Sequence, residues 1–135
     1  MEKKYAEISF DEHPVVKITF TGQAANDENF AQYLDDVERA YARNLPIALI
    51  FDATRATIPG FKYQQWQAQW LKDYEEMMKK HCTGTAYIIP NLVIRNLLKA
   101  IFALQAQPVP YKIFPNLDEG RRWALSQLDQ KGTAS

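Results

Sequence analysis

Two kinds of periodicity take turns along this chain, and their order constrains its fold more than any other feature. Lys4–Phe10 sets Tyr5, Glu7 and Ser9 against Ala6, Ile8 and Phe10, and Val15–Phe20 sets Val16, Ile18 and Phe20 against Lys17 and Thr19. Alternation at every second residue, rich in β-branched side chains, predicts half-buried strands. Asp11–Pro14 is a short turn-forming connector, so the two strands are expected to close as an antiparallel hairpin, with Gly22 ending the second. From Asn26 the period lengthens. Phe30, Tyr33, Leu34, Val37 and Tyr41 fall on one helical stripe running to Arg43. Asn26 or Asp27 is the expected N-cap, and Glu28 suits the positive end of the helix dipole.

Pro46 breaks that helix, and Ile47–Phe51 is an almost wholly apolar run ending at Asp52. Such a run after a helix predicts a central parallel strand covered on both faces. Pro59-Gly60 opens a second helix stepping through Tyr63, Trp66, Trp70, Tyr74 and Met77 to Lys79-Lys80. Thr83–Ile89 predicts a strand, and Asn91 caps a third helix through Ile94, Leu97, Leu98, Ile101, Phe102 and Gln105. Tyr111–Phe114 predicts the last strand and Leu117–Leu128 the last helix. The order is β-β-α-β-α-β-α-β-α. It specifies one α/β domain over residues 1–130 with a mixed, mostly parallel sheet and an antiparallel edge strand. Residues 131–135 are expected to form a flexible tail.

Composition acts mainly by exclusion. At roughly 150 residues per domain, the 135 residues fit a single one. Sixteen Lys and Arg balance sixteen Asp and Glu, so the basic footprint of a nucleic-acid binder is missing. No apolar run approaches the ~20 residues of a membrane span, and the first residues lead into a strand instead of a signal peptide. A cytoplasmic domain is expected. Cys82, the single cysteine, forms neither an internal disulfide nor a Cys-rich metal site. His81 and Cys82 are neighbours that a strand would point to opposite faces, out of reach of one another as base and nucleophile. With no zinc-type spacing and no Gly-rich phosphate loop, the chain is read as a non-enzyme without cofactor or metal.

The hairpin start, Ala48–Asp52 before a Trp-bearing helix, Thr85–Ile89 and the ending Tyr111–Leu125 carry a resemblance. In these segments the chain resembles the STAS superfamily, in its branch of short anti-sigma-factor-antagonist-like proteins, some of which have been likened to lipid-carrying CRAL-TRIO domains. The resemblance implies a sheet of about five strands with helices mainly on one face, a regulatory role and protein partners. In the better-known antagonists the loop after the central strand carries a phosphorylatable serine. Here that loop, Asp52–Tyr63, offers only Thr54 and Thr57, while the serines are Ser9, Ser126 and Ser135. The usual phospho-switch is therefore not expected.

Two sets of residues are candidates for a site. Asp52 and Arg55 follow the carboxyl end of the central strand, where open α/β sheets place their crevices. Arg55 with Lys62 is suited to an anionic group; alternatively Asp52 caps a turn and pairs with Arg55 at the surface. Tyr63, Trp66 and Trp70 put more aromatic surface on the second helix than one buried stripe needs, which suits a partner surface or a pocket. On the third helix Ile94, Leu98, Ile101 and Phe102 leave little polar face, as burial against an apolar ligand or a second subunit would require. Arg95 and Lys99 add basic character there, which suits weak membrane-surface contact. Two functions are thus expected: a protein-interaction module, or a carrier holding a lipid or other apolar molecule between the second and third helices in a closed cavity of ~300 Å3 or more.

Overall fold

A computed structural model of the protein describes residues 4–133, with side chains through Asp129. Strands β1 (Ala6–Ser9) and β2 (Val15–Phe20) pair antiparallel, and β3 (Ile47–Asp52), β4 (Cys82–Ile88) and β5 (Tyr111–Phe114) continue the sheet in parallel. The five strands lie side by side in chain order. Helices α1 (Asp27–Arg39), α2 (Phe61–Asp73), α3 (Glu75–His81) and α4 (Leu92–Leu104) fill the crossovers, and α5 (Leu117–Thr133) follows β5. The expected mixed sheet with an antiparallel edge is therefore present.

Alternation along each strand sorts the core into two layers. In β3, Ile47, Leu49 and Phe51 face α1, α2 and α4, while Ala48 and Ile50 face α5. In β4, Tyr87 takes the first side and Ala86 and Ile88 the second. Leu49 and Ile50 are fully buried, and full burial of such a side chain stabilises by about 1.5–3 kcal/mol. The larger layer also takes Met78 of α3, which leaves α5 alone on the opposite face. That helix sits very close to the sheet. A Cβ on Gly120 would collide with Ile88 Cδ1, and one on Gly84 would stand 3.0 Å from Trp123 Cη2.

Local signals explain several boundaries. Asn26 accepts from the Asn29 N–H while the Asn29 side chain accepts from the Asn26 N–H, both at 2.8 Å, a reciprocal cap for α1. Asn91 caps α4 by accepting from the Val93 N–H at 2.8 Å. Other boundaries differ from expectation. The first helix stops at Arg39 instead of Arg43, and the chain turns through Asn44 with φ of 55°. The helix expected from Pro59 to Lys80 is divided at Tyr74, whose φ of −108° and ψ of 17° leave the helical region. His81 closes α3, so it and Cys82 are not strand neighbours. The last helix continues past Leu128 to Thr133, into the segment expected as a tail; residues 134 and 135 lie outside the described residues.

Candidate functional site

A hollow lies between the larger helical layer and the sheet. It is a cavity of about 90 Å3 that opens to solvent. The sheet supplies a row of stacked aromatic rings. Phe20 and Phe51 stack at 6.1 Å between ring centroids and 21° between planes, and Phe51 and Tyr87 at 5.3 Å and 18°. Phe30 and Tyr33 of α1, Trp70 and Leu71 of α2, and Ile94, Leu98, Ile101 and Phe102 of α4 close the other sides. Thr57 and Pro59 of the loop after β3 also line it.

No Asp, Glu, Lys, Arg or His is among the lining residues. Its polar groups are few and mostly engaged. Tyr33 donates its hydroxyl to Gln67 Oε1 at 2.8 Å, and Thr57 Oγ1 donates to the Gln23 carbonyl at 3.1 Å. Gln107 Nε2 donates to the Tyr87 hydroxyl oxygen at 2.7 Å, while Gln107 Oε1 is buried without a partner. Burial pushes Tyr5 up to about 12 and raises Tyr33 and Tyr87 well above the ordinary tyrosine range. These phenols therefore stay neutral, because low-dielectric surroundings penalise the charged form. The hollow is open and shallower than the closed cavity of ~300 Å3 expected for a carrier.

The residues singled out in the sequence divide between this hollow and the surface. Ile94, Leu98, Ile101, Phe102 and Trp70 all line it. Trp66 is half-buried, its ring packed 6.3 Å from Phe30 and 5.3 Å from Tyr63. Asp52 accepts from the Thr54 N–H at 3.1 Å and hydroxyl at 2.6 Å, which closes a turn. Arg55 is exposed and, among the described residues, makes no ion pair with Asp52. Lys62 is engaged elsewhere. Its Nζ lies 2.8 Å from Asp27 Oδ1, which also accepts from the Tyr63 hydroxyl at 2.7 Å. Together they tie the first turn of α2 to the first turn of α1. Arg95 likewise has a structural role, donating from Nε to the Ile89 carbonyl at 2.7 Å.

The tie makes a pH prediction. Lys62, then Tyr63, hold the Asp27 carboxyl below its ordinary 3.8. A depressed carboxyl contributes above its unfolded value and loses that contribution as pH falls through its folded value. Because Asp27 is exposed, the effect is local. Lys62 Nζ stands 5.3 Å from the Trp66 ring centre, so the Trp66 indole resonance reports the change. On acidification this resonance is expected to move with a midpoint below 3.8, and Asp27→Asn is expected to abolish the movement. A midpoint above that value contradicts the assignment.

Sequence reasoning did not single out Phe20, Phe51, Tyr87 or Gln107. The available signal was that Phe51 and Tyr87 each precede the last residue of a parallel strand, at the sheet edge where crevices form. Nor did it separate the exposed apolar residues on that edge. Ile58 and Phe61, after β3, are 56% and 62% exposed, and Leu92 and Val93, after β4, are 68% and 54% exposed. Among the described residues no His, Cys, Asp and Glu group is suited to a metal. Cys82 is buried, with Sγ 3.4 Å from the Gly84 carbonyl oxygen, and burial pushes its thiol up.

The architecture matches known structures. A DUF3478-family protein from Shewanella loihica, described as having a SpoIIAA-like fold, superposes with a TM-score of 0.64 at 14% identity, over 92% of this chain and 98% of that one. The fold is SpoIIAA-like. An anti-sigma factor antagonist from Mycobacterium paratuberculosis shares it, with a TM-score of 0.57 at 15% identity over 89% of this chain and 92% of that one. This architecture spans nearly the whole chain. No family model matches the sequence, and no curated protein does. Among the described residues, no helix of this domain is long and apolar enough to cross a membrane.

Proposed function

We propose that the protein is a cytoplasmic, non-enzymatic regulatory module that docks a protein partner on the carboxyl edge of its sheet. The observation that carries this reading is the set Ile58, Phe61, Leu92 and Val93, large apolar side chains left more than half exposed on one edge. Adjacent parallel strands deliver both segments there, so one partner face reaches both. The SpoIIAA-like architecture supports the reading, since a protein of this fold is an anti-sigma factor antagonist. Regulation here does not use a phosphoserine in the β3–α2 loop. Thr54 donates its hydroxyl to Asp52, whose carboxylate would repel a phosphate at that position. The test is a photo-crosslinking amino acid placed in turn at Phe61, Leu92 and Leu125 in the cells that make the protein. Phe61 and Leu92 are expected to trap the same protein, and Leu125, 47% exposed on the opposite layer, is not. Equal trapping from all three positions, or none, removes the proposed surface.

A second reading rests on the hollow: a carrier of a small apolar molecule held beneath α2 and α4. The uncharged aromatic lining supports it. Neither Arg55 nor Lys62 lines the hollow, so a charged head-group anchor is not part of this reading.

A further inference from the structure

We propose that the partner meets the carboxyl edge of the sheet with an amphipathic protein segment whose apolar face is bordered by aspartate or glutamate. The proposal rests on the reading of that edge as a partner surface and names the chemistry of what docks there.

Charge is placed unevenly in this chain, although its total is zero. Between Glu76 and Asp118 there is no Asp or Glu, yet five Lys or Arg occur there. Helix α4 lies within this stretch, and Arg95 and Lys99 are its only charged residues. Arg95 donates from Nε to the Ile89 carbonyl at 2.7 Å, which holds its guanidinium at the end of β4. Lys99 is exposed one turn further on, along the stripe that begins with Leu92 and Asn96. Arg55 stands beyond the other end of the apolar set. Its carbonyl oxygen would lie 3.3 Å from a Cβ on Gly22, just past β2. Among the described residues none of these three cations forms an ion pair. The nearby carboxylates, in contrast, are spent: Asp52 accepts from Thr54, and Asp27 is held by Lys62 and Tyr63.

Unpaired positive charge therefore brackets the exposed side chains of Ile58, Phe61, Leu92 and Val93. Apolar anchors supply affinity at the centre of an interface, while charges at its rim select the sign of the partner and orient its approach. A protein segment fits this arrangement better than a lipid surface. Asp118, its side chain 87% exposed, and Glu119 begin α5 on the same edge but on the opposite face of the sheet. A broad anionic plane would meet these acids together with the cations, whereas a segment lying along the α2 and α4 side meets the cations alone.

The test uses three synthetic peptides of one length, with the same leucines on one helical face and Glu, Gln or Lys bordering them. Each is titrated into the intact protein and followed by NMR at the amides of Phe61 and Leu92. The Glu peptide is expected to shift both amides and to bind about fivefold or more tightly than the Gln peptide, with the Lys peptide weakest. Added salt is expected to shrink these differences. In Arg55→Glu/Lys99→Glu the order is expected to invert. Arg55→Gln/Lys99→Gln, a milder change at the same exposed positions, is expected to narrow it. Equal affinities of the three peptides for the native protein, or an order that both variants leave unchanged, overturns the acidic chemistry while the partner surface stands. Failure of all three peptides to move the Phe61 and Leu92 amides overturns the partner surface itself. Phosphatidylglycerol vesicles are the lipid control: if they broaden the same two amides at lower concentration than the Glu peptide shifts them, the surface belongs to a membrane and a protein occupant is overturned.

Discussion

Gly120→Val is expected to unfold about 10 °C below the native chain in a thermal melt, a loss of about 3 kcal/mol. The site is where α5 comes down on β4. Any Cβ at position 120 runs into Ile88 Cδ1, and Ala86 Cβ and Phe114 Cδ2 stand 3.6 Å away, so the added methyl groups of valine have nowhere to go. Ile88 is itself fully buried, which limits escape by a rotamer change. The remaining relief is for α5 to lift, and that strips Ala124 and its neighbours Leu117, Trp123 and Leu128 from the sheet. Gly120→Ala separates the causes. It brings a single methyl and recovers about 1 kcal/mol of helix propensity, so its loss is expected to be clearly smaller. A valine variant melting within about 2 °C of the native chain would mean that α5 is not held at this distance.

Some of this architecture was legible from spacing. Alternation in Val15–Phe20 and the apolar run Ile47–Phe51 located β2 and β3, because burial on one or two faces writes itself directly into strand sequence. Asn91 marked the helix start that it caps, and of the two candidates Asn26 and Asp27 it is Asn26 that caps the first helix. The break at Tyr74 was hidden for a physical reason. The Tyr74 N–H still bonds the Trp70 carbonyl at 3.0 Å, and the Met78 N–H still bonds the Tyr74 carbonyl at 2.9 Å. The three-and-four spacing of the aromatics therefore runs straight across it, with no Gly or Pro to mark the turn.

The site was less legible. Ile94, Leu98, Ile101 and Phe102 were recognisable as an apolar face of α4, but not what they faced. The opposing wall comes from β2, β3 and β4, and its rings meet only through strand pairing. Lys62 looked free for an anion because its partner, Asp27, is 35 residues away in the chain. Gln107 follows the end of α4 in an irregular segment, so no period points to it.

The docking surface makes the second large prediction. Phe61 and Leu92 are the first residues of α2 and α4, and neither helix has an acidic residue in its first turn. An aspartate at either position places negative charge at the positive end of a helix dipole, which favours the fold by about 0.3–1 kcal/mol each. Both native side chains are mostly exposed, so little packing is lost. At an apolar interface the same aspartates must shed water against a partner's apolar face, and central anchors cost about 2 kcal/mol or more when truncated. Stability and binding should therefore move in opposite directions.

The most direct measurement is the dissociation constant of the partner trapped through Phe61 for the native protein, for Phe61→Asp/Leu92→Asp, and for Leu125→Asp as the opposite-face control. The double variant is expected to melt at or slightly above the native temperature and to bind about 100-fold more weakly or worse, with Leu125→Asp unchanged. A double variant that is fully folded and binds within about threefold of the native protein would contradict the assignment of the partner surface to the carboxyl edge of the sheet.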